Sequence, residues 1–314
     1  MSAPRVSVIV PFLDPPEGFL EEAVASVKAQ TFNDWELLLV NDGSGSEARA
    51  IAEAFATADP RRIRCLQHDG GVNKGIPATR NLGLAHACGE FIAYLDSDDV
   101  WYPHKLSDQV RIMEDHPHED MIFGRSVYWY SWGYGRANES SRDRPPPLGV
   151  PDREVLARSE FLRNILLARV QVPCPSNILV RAAAARAVGG FQENISNLYE
   201  DQAFYAKISL AGTVLPCADV WDRYRIHPTS VCYTASRQQA IAARREYLEW
   251  LRGYLDDIGH VDNRLRSLVR LEIGATRIPG GPRLLQIIRK IAARQRRWLK
   301  GRSVSPAAPS EGLS

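Results

Sequence analysis

The chain has 314 residues, 45% hydrophobic and 24% charged, with 39 Lys and Arg against 37 Asp and Glu. This argues against disorder over most of the chain and suits one large α/β domain, alone or with a smaller appendage. Five cysteines (Cys65, Cys88, Cys174, Cys217, Cys232) are odd in number and form no Cys-x-x-Cys pair, which argues against a disulfide framework or a zinc site and fits a reducing cytoplasm.

Val6 to Phe12 is short and β-branched and reads as a first strand. No signal-peptide pattern precedes it, and no apolar run nears the roughly 20 residues that cross a bilayer. Pro15-Pro16 breaks the chain before a helix with apolar residues at Phe19, Leu20, Ala23, Val24 and Val27. Trp35 to Val40 is a second strand, nearly all apolar, as in a parallel sheet buried on both faces. Helix Ala48 to Ala58, strand Ile63 to Gln67, helix Ile76 to Cys88 and strand Phe91 to Leu95 follow. This alternation predicts a parallel sheet with right-handed crossovers and ligands at the strands' carboxyl ends. Asp14, Asp42 and Asp96 lie just past strand ends and are expected on that edge.

The second half is less regular. Helices are expected over Leu106 to Met113, Glu160 to Ala168, Ala182 to Val188, Leu198 to Leu210, Arg237 to Asp257 and Arg264 to Ile273. Strands are expected over Met121 to Trp132, Ser176 to Arg181, Val214 to Cys217 and Val220 to Ile226. The proline-rich stretch Ala137 to Asp152 reads as a loop able to shape a second binding site. Eight of the 39 basic residues fall between Gly281 and Arg302 with no acid among them, so the rest of the chain carries 31 basic and 37 acidic residues. Residues Leu284 to Leu299 read as a basic amphipathic helix, and Ser303 to Ser314 as a disordered tail.

The chain's chemistry centres on Phe91-Ile-Ala-Tyr-Leu-Asp96-Ser97-Asp98-Asp99. An apolar strand delivers three carboxylates in four residues. A hard divalent cation is one reason to pack them so, since Mg²⁺ and Mn²⁺ favour carboxylate oxygen shared with substrate phosphates. The plainer alternative is an acidic turn with Asp98 or Asp99 capping the next helix. Asn41-Asp42-Gly43-Ser44 allows Asp42 to accept from a base or ribose, or simply to turn the chain. Gly43-x-Gly45-x-x-Ala48 fits a relaxed dinucleotide pattern, but it follows the second strand rather than the first, Gln67-His68 replace the acid expected about 20 residues on, and Asp42 would repel a phosphate. Arg80 sits in the first turns of the third helix, where an anion is favoured. In Asp115 to Asp120, Pro117 keeps the two histidines off one helical face, so the segment reads as a helix-ending loop.

Val6 to Asp14, Leu38 to Ser44, Gly75 to Gly83 and Tyr94 to Trp101 together resemble, in order and spacing, family 2 glycosyltransferases of the GT-A fold, over about residues 5 to 230. The resemblance implies an α/β fold with a mostly parallel nucleotide-binding sheet flanked by helices, a mixed acceptor-side half and added C-terminal helices. It implies domain limits of 1–235 for the catalytic domain (1–105 donor half, 106–235 acceptor half), 236–302 for the helical extension and 303–314 for the tail. In it Pro11 and Asp14 line the nucleotide site, Asp42 binds the nucleobase, usually uracil, and Arg80 supports the nucleotide. Asp96-Ser97-Asp98 is the family's Asp-x-Asp motif, with Asp96 on the ribose and Asp98 on a divalent cation, Mn²⁺ or Mg²⁺. Asp201 is the implied catalytic base, His227 a second metal ligand and Arg225 a phosphate contact. Where the family often has Tyr and Asn after the first strand, this chain has Leu13 and Asp14, which removes an aromatic stacking partner for the base.

The expected activity is inverting transfer from a nucleoside diphosphate sugar, UDP-linked by preference, to a hydroxyl of a glycan or lipid-linked glycan in envelope or polysaccharide synthesis. Alternatives are a non-catalytic nucleotide-sugar-binding protein, against which Asp98 and Asp201 argue, and a nucleotidylyltransferase, which would need a glycine-rich basic loop after the first strand. The expected location is cytoplasmic, peripheral on an anionic membrane through residues 283–302, with no nucleic acid partner.

Overall fold

The computed structural model describes residues 3–133, 137–195, 198–278 and 280–282. The first half follows the expected alternation: β1 (Val6–Phe12), α1 (Phe19–Lys28), β2 (Trp35–Asn41), α2 (Ser46–Ala58), β3 (Ile63–Gln67), α3 (Ile76–His86) and β4 (Phe91–Tyr94). Then come β5 (Val100–Trp101), α4 (Lys105–Asp115), β6 (Met121–Trp129), α5 (Glu160–Leu166), β7 (Leu179–Arg181), α6 (Ala182–Ala187), α7 (Glu200–Ala211), β8 (Val214–Arg225), α8 (Val231–Thr234), α9 (Arg237–Asp257) and α10 (Asn263–Thr276).

The strands make one mixed sheet in the order β3-β2-β1-β4-β7-β6-β8-β5. Strands β1 to β4 are mutually parallel, β7 runs against β4 and β6, and β8 runs parallel to β6. The carboxyl ends of β1, β2, β4, β6 and β8 therefore share one edge. Alternation within each strand builds two core layers. Val8, Val10, Leu37 and Leu39 pack with α1, α2 and α4 on one face, while Ile9, Leu38 and Val40 pack with α3, α5, α6 and α7 on the other. A third cluster joins Leu162, Ala203 and Ala206 to Tyr247, Leu251, Leu265 and Val269, so α9 and α10 rest on α5 and α7. α9 starts at the expected residue because Ser236 and Gln239 form a reciprocal capping box.

Three expectations change. The strands expected at Val214 to Cys217 and Val220 to Ile226 are one twelve-residue strand, β8, whose surplus residues bulge against β6 between Phe123 and Ser126. Gly124 makes room: a Cβ there would lie 2.7 Å from the Asp219 carbonyl and from the Trp221 ring. Val100 and Trp101, unassigned from sequence, form an edge strand on β8. Because α4 begins only at Lys105, neither Asp98 nor Asp99 caps it. No described helix is long and apolar enough to cross a membrane. The basic segment 283–302 and the tail lie outside the described residues.

Candidate active site

A cleft of about 870 Å³ opens on the shared carboxyl edge. Of the ten site residues expected from sequence, nine line it: Pro11 and Asp14 after β1, Asp42 after β2, Arg80 on α3, Asp96 to Asp98 after β4, Asp201 on α7 and His227 after β8. They come from six segments spread over more than two hundred residues.

Asp42 is almost wholly buried, and its carboxylate accepts the Lys74 amide at 2.8 Å and the Gly75 amide at 3.1 Å. Two glycines permit this. Gly43 has φ +87°, and a Cβ on it would stand 2.7 Å from the Asn73 nitrogen; Gly75 also has φ +87°. Asp14 sits at φ +39°, and its Oδ1 accepts the Gly45 amide at 2.8 Å, latching the loop after β1 to the loop after β2.

Arg80 is buried and donates to Asp96 Oδ1 at 2.6 Å and Glu200 Oε1 at 3.1 Å, with its guanidinium 5.0 Å from the Phe191 ring centre. Expected to support the nucleotide, it is the bridge between the end of β4 and the start of α7. Burial raises the proton affinities of Asp96 and Glu200, and Arg80 offsets this in part.

Asp98 points its Oδ2 at His227 Nε2, 2.9 Å away, and His227 Nδ1 meets Thr229 Oγ1 at 2.8 Å. Oδ2 is thus the carboxylate atom facing the ring, leaving Oδ1 in a half-exposed side chain for another partner. A carboxylate oxygen and an imidazole nitrogen thus stand side by side at the cleft, both of them donor types that a divalent ion accepts. This pair fits a divalent ion.

Asp99, by contrast, faces inward. Its Oδ2 accepts Ser176 Oγ–H at 2.5 Å and its Oδ1 accepts the Arg225 amide at 3.0 Å. Asp99, Cys174 and Asp222 place ligand-type atoms all within 4.8 Å of one another. Cys174 Sγ–H donates to Asp222 at 3.2 Å, and the Asn177 side-chain amide donates to the other Asp222 oxygen. Lys105 nearby is pushed down to about 7 by burial. A thiol and two carboxylates already satisfied by protein donors suit Mn²⁺ or Mg²⁺ less well than Asp98 does.

Arg225, expected on phosphate, is not among the residues lining the cleft. Its Nε donates to the Asp98 carbonyl at 2.7 Å, an Nη donates to Glu22, and its guanidinium lies 4.1 Å from the Phe19 and 4.6 Å from the Trp129 ring centres. It braces the acidic turn from behind.

Asp201 opens α7. Its Oδ1 accepts the Gln202 amide at 2.6 Å, and its Oδ2 accepts no hydrogen bond among the described residues. Burial, then the Glu200 charge, holds its carboxyl well above the usual range. The cleft is also lined by Tyr128, Gln171 and Val172, with Pro146 and Leu148 from the proline-rich stretch. Gln171 donates to the Tyr128 hydroxyl at 2.7 Å. The sequence reading missed Glu200, Cys174 and the buried Asp222 and Lys105; a charged residue inside the apolar run of β8 was the available signal.

A helix-flanked mixed sheet with carboxylates gathered on the carboxyl edge of its parallel half places its candidate site where open α/β sheets bind ligands. The chain belongs to the glycosyl transferase family 2, whose model matches residues 7–189. It is similar to EpsE of Bacillus subtilis (strain 168), itself provisionally a glycosyltransferase, at 29% identity over 61% of each chain. The chain thus spans about three fifths of EpsE, and only 19% of the next two relatives. Among solved structures it resembles S. aureus TarS residues 1–349 in complex with UDP-GlcNAc, with TM-score 0.64, 20% identity, and coverage of 87% of this chain and 72% of that one. It also resembles the mannosyltransferase PcManGT of Pyrobaculum calidifontis in complex with GDP-Man and Mn²⁺, with TM-score 0.58, 16% identity, and coverage of 98% and 77%. At these identities the likeness is one of fold.

Proposed function

We propose that this glycosyltransferase is a metal-dependent, inverting enzyme that moves a sugar from a nucleoside diphosphate, UDP by preference, to a hydroxyl of a glycan or lipid-linked glycan. The observation that carries this is the meeting in one cleft of the Asp98–His227 pair and the open, proton-avid carboxylate of Asp201.

Asp42 accepts an N–H of the base, and Asp96 receives the ribose. Asp98 and His227 would hold a divalent cation, which would supply positive charge to offset that of the departing diphosphate. Asp201 takes the proton of the attacking acceptor hydroxyl. Attack from the face opposite the leaving group inverts the anomeric centre, so one base suffices and no enzyme nucleophile is needed. The wall formed by Tyr128, Gln171 and Leu148 fits the acceptor, since sugar C–H faces pack on apolar and aromatic surface while the amide orients hydroxyls.

Incubation with UDP-, GDP- and dTDP-sugars, with Mn²⁺ and with EDTA, tests this. Metal-dependent release of UDP, lost in Asp201→Asn while UDP still binds, is the expected result. Equal turnover in Asp201→Asn removes the mechanism. In this reading residues 1–235 form the catalytic domain, and α9 and α10 of the extension rest on α7, which carries the base.

A further inference from the structure

Glu200 has no part in the reaction as drawn, yet it is buried, charged and in the cleft. We propose that Glu200 is a positioning residue for Asp201: it holds the Arg80 guanidinium against the β4 side of the cleft and so keeps that charge off the base. The inference rests on Asp201 being the base.

The geometry is a three-sided grip on Arg80. Nη2 is held by Asp96 at 2.6 Å, Nη1 by Glu200 at 3.1 Å, and the Phe191 ring lies 5.0 Å from the guanidinium. Phe191 is itself stacked at 4.4 Å on Phe204 of α7. Glu200 and Asp201 are consecutive, so on a helix they project about 100° apart. One can clasp Arg80 while the other faces the acceptor. Without the Glu200 charge, the nearest carboxylate on that turn is Asp201. An Arg80–Asp201 ion pair would occupy the base and hold its proton weakly.

Around Asp201 stand Glu200 and Tyr205 from its own helix, Arg80 from α3, Asp96 from the end of β4 and Tyr247 from α9, with Tyr199 and Arg244 beyond Tyr247. Arg80 is a cation whose charge acts on the base, and two carboxylates divide it. The remaining negative charge strengthens Asp201 as a proton acceptor, which a general base near neutral pH requires.

The test is the pH profile of kcat/KM for wild type, Glu200→Gln, Glu200→Asp and Asp201→Asn, with UDP affinity measured alongside. In Glu200→Gln the acid limb should move down by roughly one pH unit, the plateau should fall by about tenfold, and UDP affinity should hold. In Glu200→Asp, which keeps the charge, the limb should stay in place. An unmoved limb in Glu200→Gln, or a limb shifted equally in Glu200→Asp, overturns the proposal. If Glu200→Gln yields no folded protein, Glu200→Asp alone decides by the position of its limb. Full activity in Asp201→Asn instead overturns the reading of the base, a separate failure.

Discussion

Asp98 and Asp99 are neighbours, yet they belong to different worlds. Asp98 is 30% exposed at the mouth of the cleft, beside a histidine, with an oxygen to spare. Asp99 is fully buried, and both its oxygens are taken by Ser176 and the Arg225 amide. The open group can bind something new without breaking the fold. The closed group, with Cys174, Asp222 and Lys105, knits β5, β8 and the end of β4 into the platform on which the mouth stands. Sequence proximity therefore says little about role; which way the turn after β4 throws each side chain decides it.

The comparison breaks most readily at its extremes. Asp201→Asn should lower kcat/KM by roughly 10²–10⁴-fold, measured with the preferred donor, with no change in urea midpoint. The wild-type profile supplies the sign of the pH effect. A carboxyl held above its usual range must lose its proton to act, so kcat/KM should climb with pH along an acid limb lying above about pH 4. Asp99→Ala should cost about 3 kcal/mol in urea unfolding, the scale of two buried hydrogen-bond donors left without their acceptor. Asp98→Ala should stay within about 0.5 kcal/mol of wild type while metal-dependent turnover is lost. If those two stabilities were exchanged, the contrast between mouth and platform would be false. His227→Ala should raise the Mn²⁺ concentration for half-maximal activity by about 10-fold or more. Arg225→Lys, losing the planar guanidinium between Phe19 and Trp129, should cost about 1–2 kcal/mol and lower metal affinity only indirectly. Asp14→Ala should be mildest, with a UDP KM raised roughly threefold and less than about 1 kcal/mol of stability lost.

The donor half was readable because its strands are short, apolar and punctuated by Gly, Pro and Asp, so each polar residue after a strand fell on the binding edge. Asp42, Asp96 and Asp98 were expected on that edge by this logic together with a family likeness; Asp201, at the start of a helix in the other half, rested on the likeness alone. The acceptor half was harder. β8 looked like two strands because its bulge puts polar Asp219 amid apolar residues, and only Gly124 on a different strand explains how the chain passes. Arg225 was misleading for another reason: its phosphate role came from the family likeness, and nothing local in the sequence reveals that Phe19, Glu22 and Trp129 enclose it from elsewhere. Glu200 was overlooked because its partner lies 120 residues away.

The cradle around Asp42 has a further consequence, on the reading that Asp42 meets the nucleobase. Lys74 and Gly75 have already replaced the water around that carboxylate, so an arriving base finds a fixed acceptor rather than a solvated, swinging one. The fixing depends on Gly43, whose bare α-carbon lets the 72–73 backbone close in. Donor preference can thus drift through a residue behind Asp42, a lever for evolution or engineering that leaves the carboxylate itself unchanged.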